Sequence, residues 1–234
     1  MPAPRVLVLL DIDGTLLETQ EAGILAYVEA GREVFGAEFS FIDIPLEGKL
    51  DHENYAEAVH RHCDGVDHRT YESRFRRAYG DALDDIARQR GGFRPCPGVA
   101  RLIDRLHRDN RLELGLLTGN WEETGRLKIR RAGLDDALFT CNAFADDGEH
   151  RDDLVPVAAD RFRLRHGRRP HRIVVIGDTP RDMRCALAGD AVPLGVATGI
   201  FPVDRLETEG AAMTVQTLEQ TDELLAWILD ESSG

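Results

Sequence analysis

Short apolar runs alternate with helix-spaced apolar stripes along most of this chain, and the alternation is interrupted once. Val6, Leu7, Val8, Leu9 and Leu10 are apolar without a break, so residues 5–10 predict a strand buried on both faces; a half-exposed strand would alternate. From about residue 16 to residue 92 no strong strand signal occurs. Ile24, Tyr27, Val28, Val34 and Phe35 lie instead at helical intervals, and 55–62 and 71–89 predict further helices. The chain breakers Gly91, Gly92, Pro95, Pro97 and Gly98 close this stretch. Alternation then resumes. Strands are expected at 112–117, 138–141, 173–176, 193–196 and, more weakly, 213–215. Helices are expected at 99–106, 122–132, 154–165 and 182–188, with a closing helix at 221–229. This order predicts an α/β fold: a Rossmann-like parallel sheet core with helices on both faces, built from residues 1–15 and 93–234, and an inserted α-helical unit over 16–92.

Composition narrows the partners. The chain's 234 residues suffice for one large domain or for a core with a smaller insertion. A net charge of −13 disfavours sequence-independent binding to nucleic acid or to anionic membranes. Neither partner is expected, and the chain is expected to act as a monomer or homodimer. Cys63, Cys96, Cys141 and Cys185 lack metal or redox spacing and read as reduced thiols, while His52, His60 and His62 read as solvated helix residues. No apolar run approaches the ~20 residues of a membrane span, and 6–10 is too short for a signal-peptide core. A cytoplasmic location is expected. All but two of the 29 basic residues are arginine; the exceptions, Lys49 and Lys128, are for that reason better functional candidates.

The candidate chemistry lies where predicted strands end. Asp11-Ile12-Asp13-Gly14-Thr15 follows the first strand, Thr118-Gly119-Asn120 follows 112–117, and Gly177-Asp178-Thr179-Pro180-Arg181-Asp182 follows 173–176. Open α/β sheets bind ligands at the carboxyl ends of their strands. Carboxylates this close repel one another unless a cation or a shared proton relieves them. Asp11 is the candidate nucleophile, because a carboxylate can attack phosphorus and divide one difficult displacement into two. Asp13 is the candidate general acid and then base. That role needs a pKa above the reference ~3.9, which burial and a neighbouring carboxylate would supply. Mg2+ prefers hard oxygen ligands, here Asp11, Asp178 and the main-chain carbonyl of Asp13. Thr118 offers a hydroxyl, and Gly119 and Asn120 offer N–H groups at an expected helix start, a setting that binds anions. With Gly14, these three strand ends predict one magnesium and phosphate site.

The order and spacing of these runs resemble the haloacid dehalogenase-like hydrolase superfamily. Asp11-Ile12-Asp13-Gly14-Thr15 matches its first motif, Leu116-Leu117-Thr118-Gly119-Asn120 its second, and the run from Gly177 to Asp182 its fourth. The resemblance covers the whole core, and the insertion looks like the helical C1 cap of phosphoglycolate phosphatase-like members. It implies magnesium-dependent hydrolysis of a small phosphorylated metabolite through an aspartyl-phosphate, with Asp182 supporting the metal ligands from behind. The family's third motif supplies a cation, usually lysine, and two residues compete for that place. Lys128 lies eight residues beyond Asn120, about 12 Å down a helix expected to lead away from the site. Arg151 precedes the expected 154–165 helix, where relatives commonly carry a lysine, although a guanidinium is not equivalent to an ammonium.

Gly48-Lys49-Leu50-Asp51 resembles the cap segment that faces substrate in C1-capped relatives, so Lys49 is the candidate contact for a remote anionic group. Trp121, Asp146 and Asp147 read as packing and surface residues. A phosphomutase of the same superfamily would use the same Asp11 and Asp13. A phospho-accepting signalling or binding module also combines acids, a threonine and a lysine on a parallel sheet, but the long insertion and Asp13 argue against it.

Overall fold

A computed structural model describes residues 4–41 and 44–230. Strand β1 (Val6–Leu10) lies inside a parallel sheet with every residue buried. The chain leaves it through a tight turn in which the Leu16 and Leu17 amides donate to the Ile12 carbonyl and Gly14 N donates to Leu17 O. Next come β2 (Leu17–Glu18) and three helices, α1 (Ala22–Phe35), α2 (Asp51–His62) and α3 (His68–Gln89). Strand β3 (Arg94–Pro95) returns antiparallel to β2, tying together the points where the chain leaves and rejoins the sheet. The remainder runs α4 (Val99–Arg108), β4 (Leu112–Leu116), α5 (Glu122–Arg131), α6 (Leu154–His166), β5 (Arg172–Gly177), α7 (Pro180–Ala188), β6 (Val192–Val196), α8 (Val203–Thr208), β7 (Met213–Val215) and α9 (Thr221–Leu229). Among the described residues no helix is long and apolar enough to cross a membrane.

The five-stranded sheet has the order β4-β1-β5-β6-β7, and every pairing is parallel. Leu10 pairs with Leu116 on one side and with Ile176 on the other. This register sets Asp11, Leu117 and Gly177 in one row at the carboxyl edge of the sheet, so three runs distant in sequence share one edge. Successive β1 residues serve opposite faces. Leu7 and Leu9 pack with Val155, Phe162 and Cys185 of α6 and α7, while Val6, Val8 and Leu10 pack with Leu102, Leu106, Leu224 and Ile228 of α4 and α9. The fold is the expected α/β, Rossmann-like one.

The strand expected at 138–141 does not form. A 3-10 turn (Asp136–Leu138) and an isolated bridge between Leu117 and Ala143 take its place. The Asn142 side chain explains the substitution: its Oδ1 accepts from the Leu116 amide at 2.8 Å, where a ladder would have used a main-chain carbonyl.

The insertion docks on the core through aromatic rings. Tyr27 stacks on Tyr79 and Phe41 with centroids 4.3 and 4.8 Å apart, and Phe75 lies 4.5 Å from Tyr55. Trp121, buried at the start of α5, meets Tyr55, Phe75 and Tyr79 edge-on. Arg76 of α3 covers the Trp121 ring at 4.9 Å and pairs with Glu123 and Asp146, so Asp146 serves the contact between insertion and core. Truncating the centre of this cluster, Phe75→Ala, should cost about 3–5 kcal/mol, measured by urea unfolding. A loss below about 1 kcal/mol would show that the rings do not hold the insertion in place.

Candidate active site

Asp11 emerges from β1 into a cavity of about 350 Å³ between the carboxyl edge of the sheet and the insertion. Its Oδ1 lies 3.1 Å from Nη2 of Arg151, whose guanidinium also bonds Asp182. Arg151 stands in a 3-10 turn (Arg151–Asp153) directly before α6, and its Nη1 donates to Gly48 O of the insertion at 3.3 Å. Asp11, Asp178 and Asp182 each bring one carboxylate oxygen within 4.8 Å of the others, and all three residues are buried. Asp182 is already committed to protein donors. One of its oxygens accepts from Arg151, and the other accepts from the Thr179 amide (3.0 Å) and hydroxyl (2.7 Å), which fixes the start of α7. Asp178 Oδ1 accepts from the Thr15 hydroxyl at 3.0 Å. Its Oδ2 packs against Gly14 and Gly199, and a Cβ at either would collide with it. Gly14 also has φ +79°, a conformation that glycine alone adopts cheaply.

Burial pushes the Asp11 carboxyl up to about 7; Arg151 opposes the shift, and repulsion from Asp182 and Asp13 adds to it. Burial, then Asp182 and Asp11, hold Asp178 well above the usual carboxylate range. Three buried carboxylates therefore face one guanidinium. This set of hard oxygens, left with excess negative charge, suits a divalent cation. Asp11 and Asp178 have the oxygens to hold one, together with the Asp13 carbonyl, while Asp182 positions Arg151 and Thr179.

Both cations that competed in the sequence lie in the site, on different carboxylates. Lys128 is not led away from it. Helix α5 begins only at Glu122, and helical side chains lean toward the N-terminus, so the lysine stem runs back along the axis. The buried Lys128 Nζ donates to Asp13 Oδ2 and Asn120 Oδ1, both at 2.6 Å. Asp13 also accepts from Asn120 Nδ2 at 2.8 Å and from the Thr19 hydroxyl at 3.2 Å. Burial works to raise its pKa, but the Lys128 charge and these hydrogen bonds outweigh it and hold the carboxyl below the usual range. The expectation that Asp13 carries the raised pKa is corrected: in the free protein Asp11 does, because the second cation sits on Asp13.

The Thr118 hydroxyl accepts from Asn120 N and Nδ2 at 3.3 and 2.8 Å. Thr118, Gly119 and Asn120 all line the cavity but precede the helix rather than start it. Gly119 O accepts from the Asp51 amide of the insertion at 2.7 Å. Asp51 also bridges the two parts through its side chain, accepting from the Tyr27 hydroxyl and from Trp121 N at 2.8 Å. Burial pushes its carboxyl up to about 6 despite Lys128 and these hydrogen bonds. Lys49 lines the cavity, with its Nζ 2.6 Å from Glu57 Oε2.

A sequence model of the haloacid dehalogenase-like hydrolases matches residues 6–190. The chain belongs to this family. Its fold is similar to that of a hydrolase from Pseudomonas syringae, with 21% identity and a TM-score of 0.71 over 97% of this chain and 100% of that one. A candidate phosphoglycolate phosphatase from Lactobacillus plantarum is similar at 20% identity and TM-score 0.64, covering 95% and 100% of the two chains. So is a candidate beta-phosphoglucomutase from Thermotoga maritima, at 17% and 0.62, covering 94% and 98%. A search among curated proteins gave no match.

This haloacid dehalogenase-like hydrolase uses more residues around its cavity than the motifs named. Thr19, Tyr27, Asp51, Asn54 and Tyr79 line it, and Thr19 also bonds Asp13. Asp51 ends the segment singled out for Lys49, and Asn54 follows three positions later on the same helical face; that spacing was the available signal. A larger hollow of about 560 Å³ beside Arg169, Pro170 and His171 holds none of the motif residues.

The raised carboxyls fix a sign. Folded Asp11 and Asp178 bind protons at a pH where the unfolded chain, with carboxyls near ~4, has released them. Stability of the metal-free hydrolase therefore falls as pH rises through about 7, and Asp51 at about 6 acts in the same direction. EDTA-treated protein should melt a few degrees higher at pH 6 than at pH 8. Magnesium should raise the pH 8 value, and Asp11→Asn should flatten the profile. Melting that improves with pH, or ignores magnesium, would contradict this electrostatic description.

Proposed function

We propose that this hydrolase is a magnesium-dependent phosphatase that cleaves a small phosphate monoester through an aspartyl-phosphate at Asp11. One observation supports the reading above the others: the two acids of the first strand end are held by two different cations. Arg151 holds Asp11, and Lys128 holds Asp13. The pairings separate a group that attacks phosphorus from a group that handles the proton. Bound by Asp11, Asp178 and the Asp13 carbonyl, magnesium would neutralise charge on the phosphoryl oxygens and on the attacking carboxylate.

The steps then balance. An Asp11 oxygen forms a bond to phosphorus while the bond to the ester oxygen breaks, and Asp13 gives that oxygen a proton to release an alcohol. Water next attacks phosphorus, Asp13 takes its proton, and Asp11 and inorganic phosphate are regenerated. A bound phosphate dianion repels the Asp13 charge and raises its proton affinity, which offsets Lys128 and readies the acid. Arg151 Nε is buried without a hydrogen-bond partner in the free protein, consistent with a guanidinium that gains an anion. The insertion acts as the cap, closing the cavity through Gly48, Asp51 and the aromatic cluster. A phosphomutase would share the first step but keep the phosphoryl group, so release of inorganic phosphate separates the two.

With magnesium, an aryl phosphate should be hydrolysed, and Asp11→Asn should abolish turnover. Full activity in EDTA or in Asp11→Asn would sink the mechanism. The two cations should separate by leaving group. Lys128→Ala removes the bond that positions the Asp13 carboxyl, so it should slow alkyl phosphates, which need a placed proton donor, far more than aryl phosphates. Asp13→Asn should show the same bias, with a loss of ~10²–10⁴ on the alkyl ester. Arg151→Ala should slow both ester classes alike. Equal losses for Lys128→Ala on both classes would assign Lys128 to the phosphoryl group instead.

A further inference from the structure

We propose that the insertion side of this cavity is a hydrogen-bonding subsite for an uncharged, hydroxyl-bearing leaving group, with Asn54 as its recognition residue. The inference rests on the phosphatase reading and names the substrate class of that site.

Asn54 lies on α2, lines the cavity and is only 3% exposed, yet its Oδ1 has no hydrogen-bond partner. A buried carbonyl oxygen without a donor is costly, and native structures rarely keep one without a reason. Other polar groups of the same cavity already have partners. Tyr27 donates to Asp51, Asp51 also accepts from Trp121 N, and Lys128 donates to Asp13 and Asn120. Among the described residues lining the cavity, the buried side-chain atoms left without a partner are Arg151 Nε and Asn54 Oδ1. The first belongs to the group beside Asp11, at the phosphoryl end. The second belongs to the insertion, where the leaving group would lie.

Charge decides what that leaving group carries. The cavity is lined by three cations among the described residues, and each already faces a carboxylate: Lys49 with Glu57, Lys128 with Asp13, Arg151 with Asp11 and Asp182. Glu21 and Glu47 also line it. A second anionic group on the substrate would find no cation waiting and two acids nearby. An anionic group at Lys49 would have to displace Glu57 from it, which disfavours the anionic contact expected there. A hydroxyl suits Asn54 best, because it both donates and accepts and so satisfies the amide in either orientation. A carboxylate only accepts, and a methylene does neither.

The test compares three alkyl phosphates with magnesium: glycerol 1-phosphate, which carries hydroxyls, n-propyl phosphate, which carries none, and 2-phosphoglycolate, which carries a carboxylate. Wild-type kcat/KM should favour glycerol 1-phosphate over n-propyl phosphate by roughly tenfold or more, with 2-phosphoglycolate the poorest. Asn54→Leu, with the same number and branching of heavy atoms, should bring the glycerol-to-propyl ratio close to one, and a melting curve checks that it folds. The wild-type ranking needs no variant. Calorimetric binding of the same esters reads the subsite separately: if none is hydrolysed but glycerol 1-phosphate binds best and loses its advantage in Asn54→Leu, the phosphatase reading fails and the subsite stands. Preference for 2-phosphoglycolate, or a glycerol-to-propyl ratio near one in the wild type or unchanged by Asn54→Leu, overturns the proposal.

Discussion

Repulsion among three buried carboxylates at one sheet edge is the constraint around which this structure is arranged. Asp11, Asp178 and Asp182 cannot all remain ionised in a low-dielectric site without compensation. The chain supplies part of it. Arg151 spans Asp11 and Asp182, Thr15 and Thr179 donate hydroxyls, and Gly14 and Gly199 give Asp178 room to stand where it does. What is left uncompensated is the negative charge that a divalent cation would meet. Burial, with repulsion from Asp182 and Asp13 added to it, raises the Asp11 carboxyl, and the uncompensated charge suits the site to a positively charged ligand.

A second balance operates a few ångströms away. Lys128 and Asn120 hold Asp13 from the α5 side, and Thr19 holds it from the chain that leads into the insertion. That insertion is held by apolar packing of Tyr27, Tyr55, Phe75 and Tyr79 around Trp121, with Asp51, Arg76 and Gly48 among its polar ties to the core. Packing is not directional, whereas the hydrogen bonds to Asp51 fix the orientation of the insertion on the core. Residues of the insertion and of the core line one cavity, so under the proposed function recognition by the first and chemistry on the second would meet there.

Much of this was legible in the sequence, for physical reasons. The apolar run of β1 and the turn residues after it need no tertiary context, and the parallel sheet follows from the alternation of strands with helices. β7 and α9 coincide with the expected 213–215 and 221–229. The expected strand at 138–141 failed because Asn142 bonds the Leu116 amide with its side chain, a competition that periodicity does not register. Lys128 was misplaced because counting residues along a helix gives the position of its Cα and not the reach of a long side chain folded back toward the N-terminus. Asp13 was assigned the wrong direction of shift for the same reason. Asn54 was not singled out, since its spacing from Asp51 was a weak signal and a single amide on a polar helix looks like any solvated one until its burial is known.

The central claim is that phosphorus is carried on Asp11. Its most direct test is an acid quench of the magnesium-loaded protein during turnover of a ³²P-labelled phosphate monoester, followed by mapping of the labelled peptide. Label is expected on the peptide containing Asp11, labile to hydroxylamine as an acyl-phosphate should be. Turnover that leaves no label on the protein, or places it on a peptide without Asp11, would contradict it.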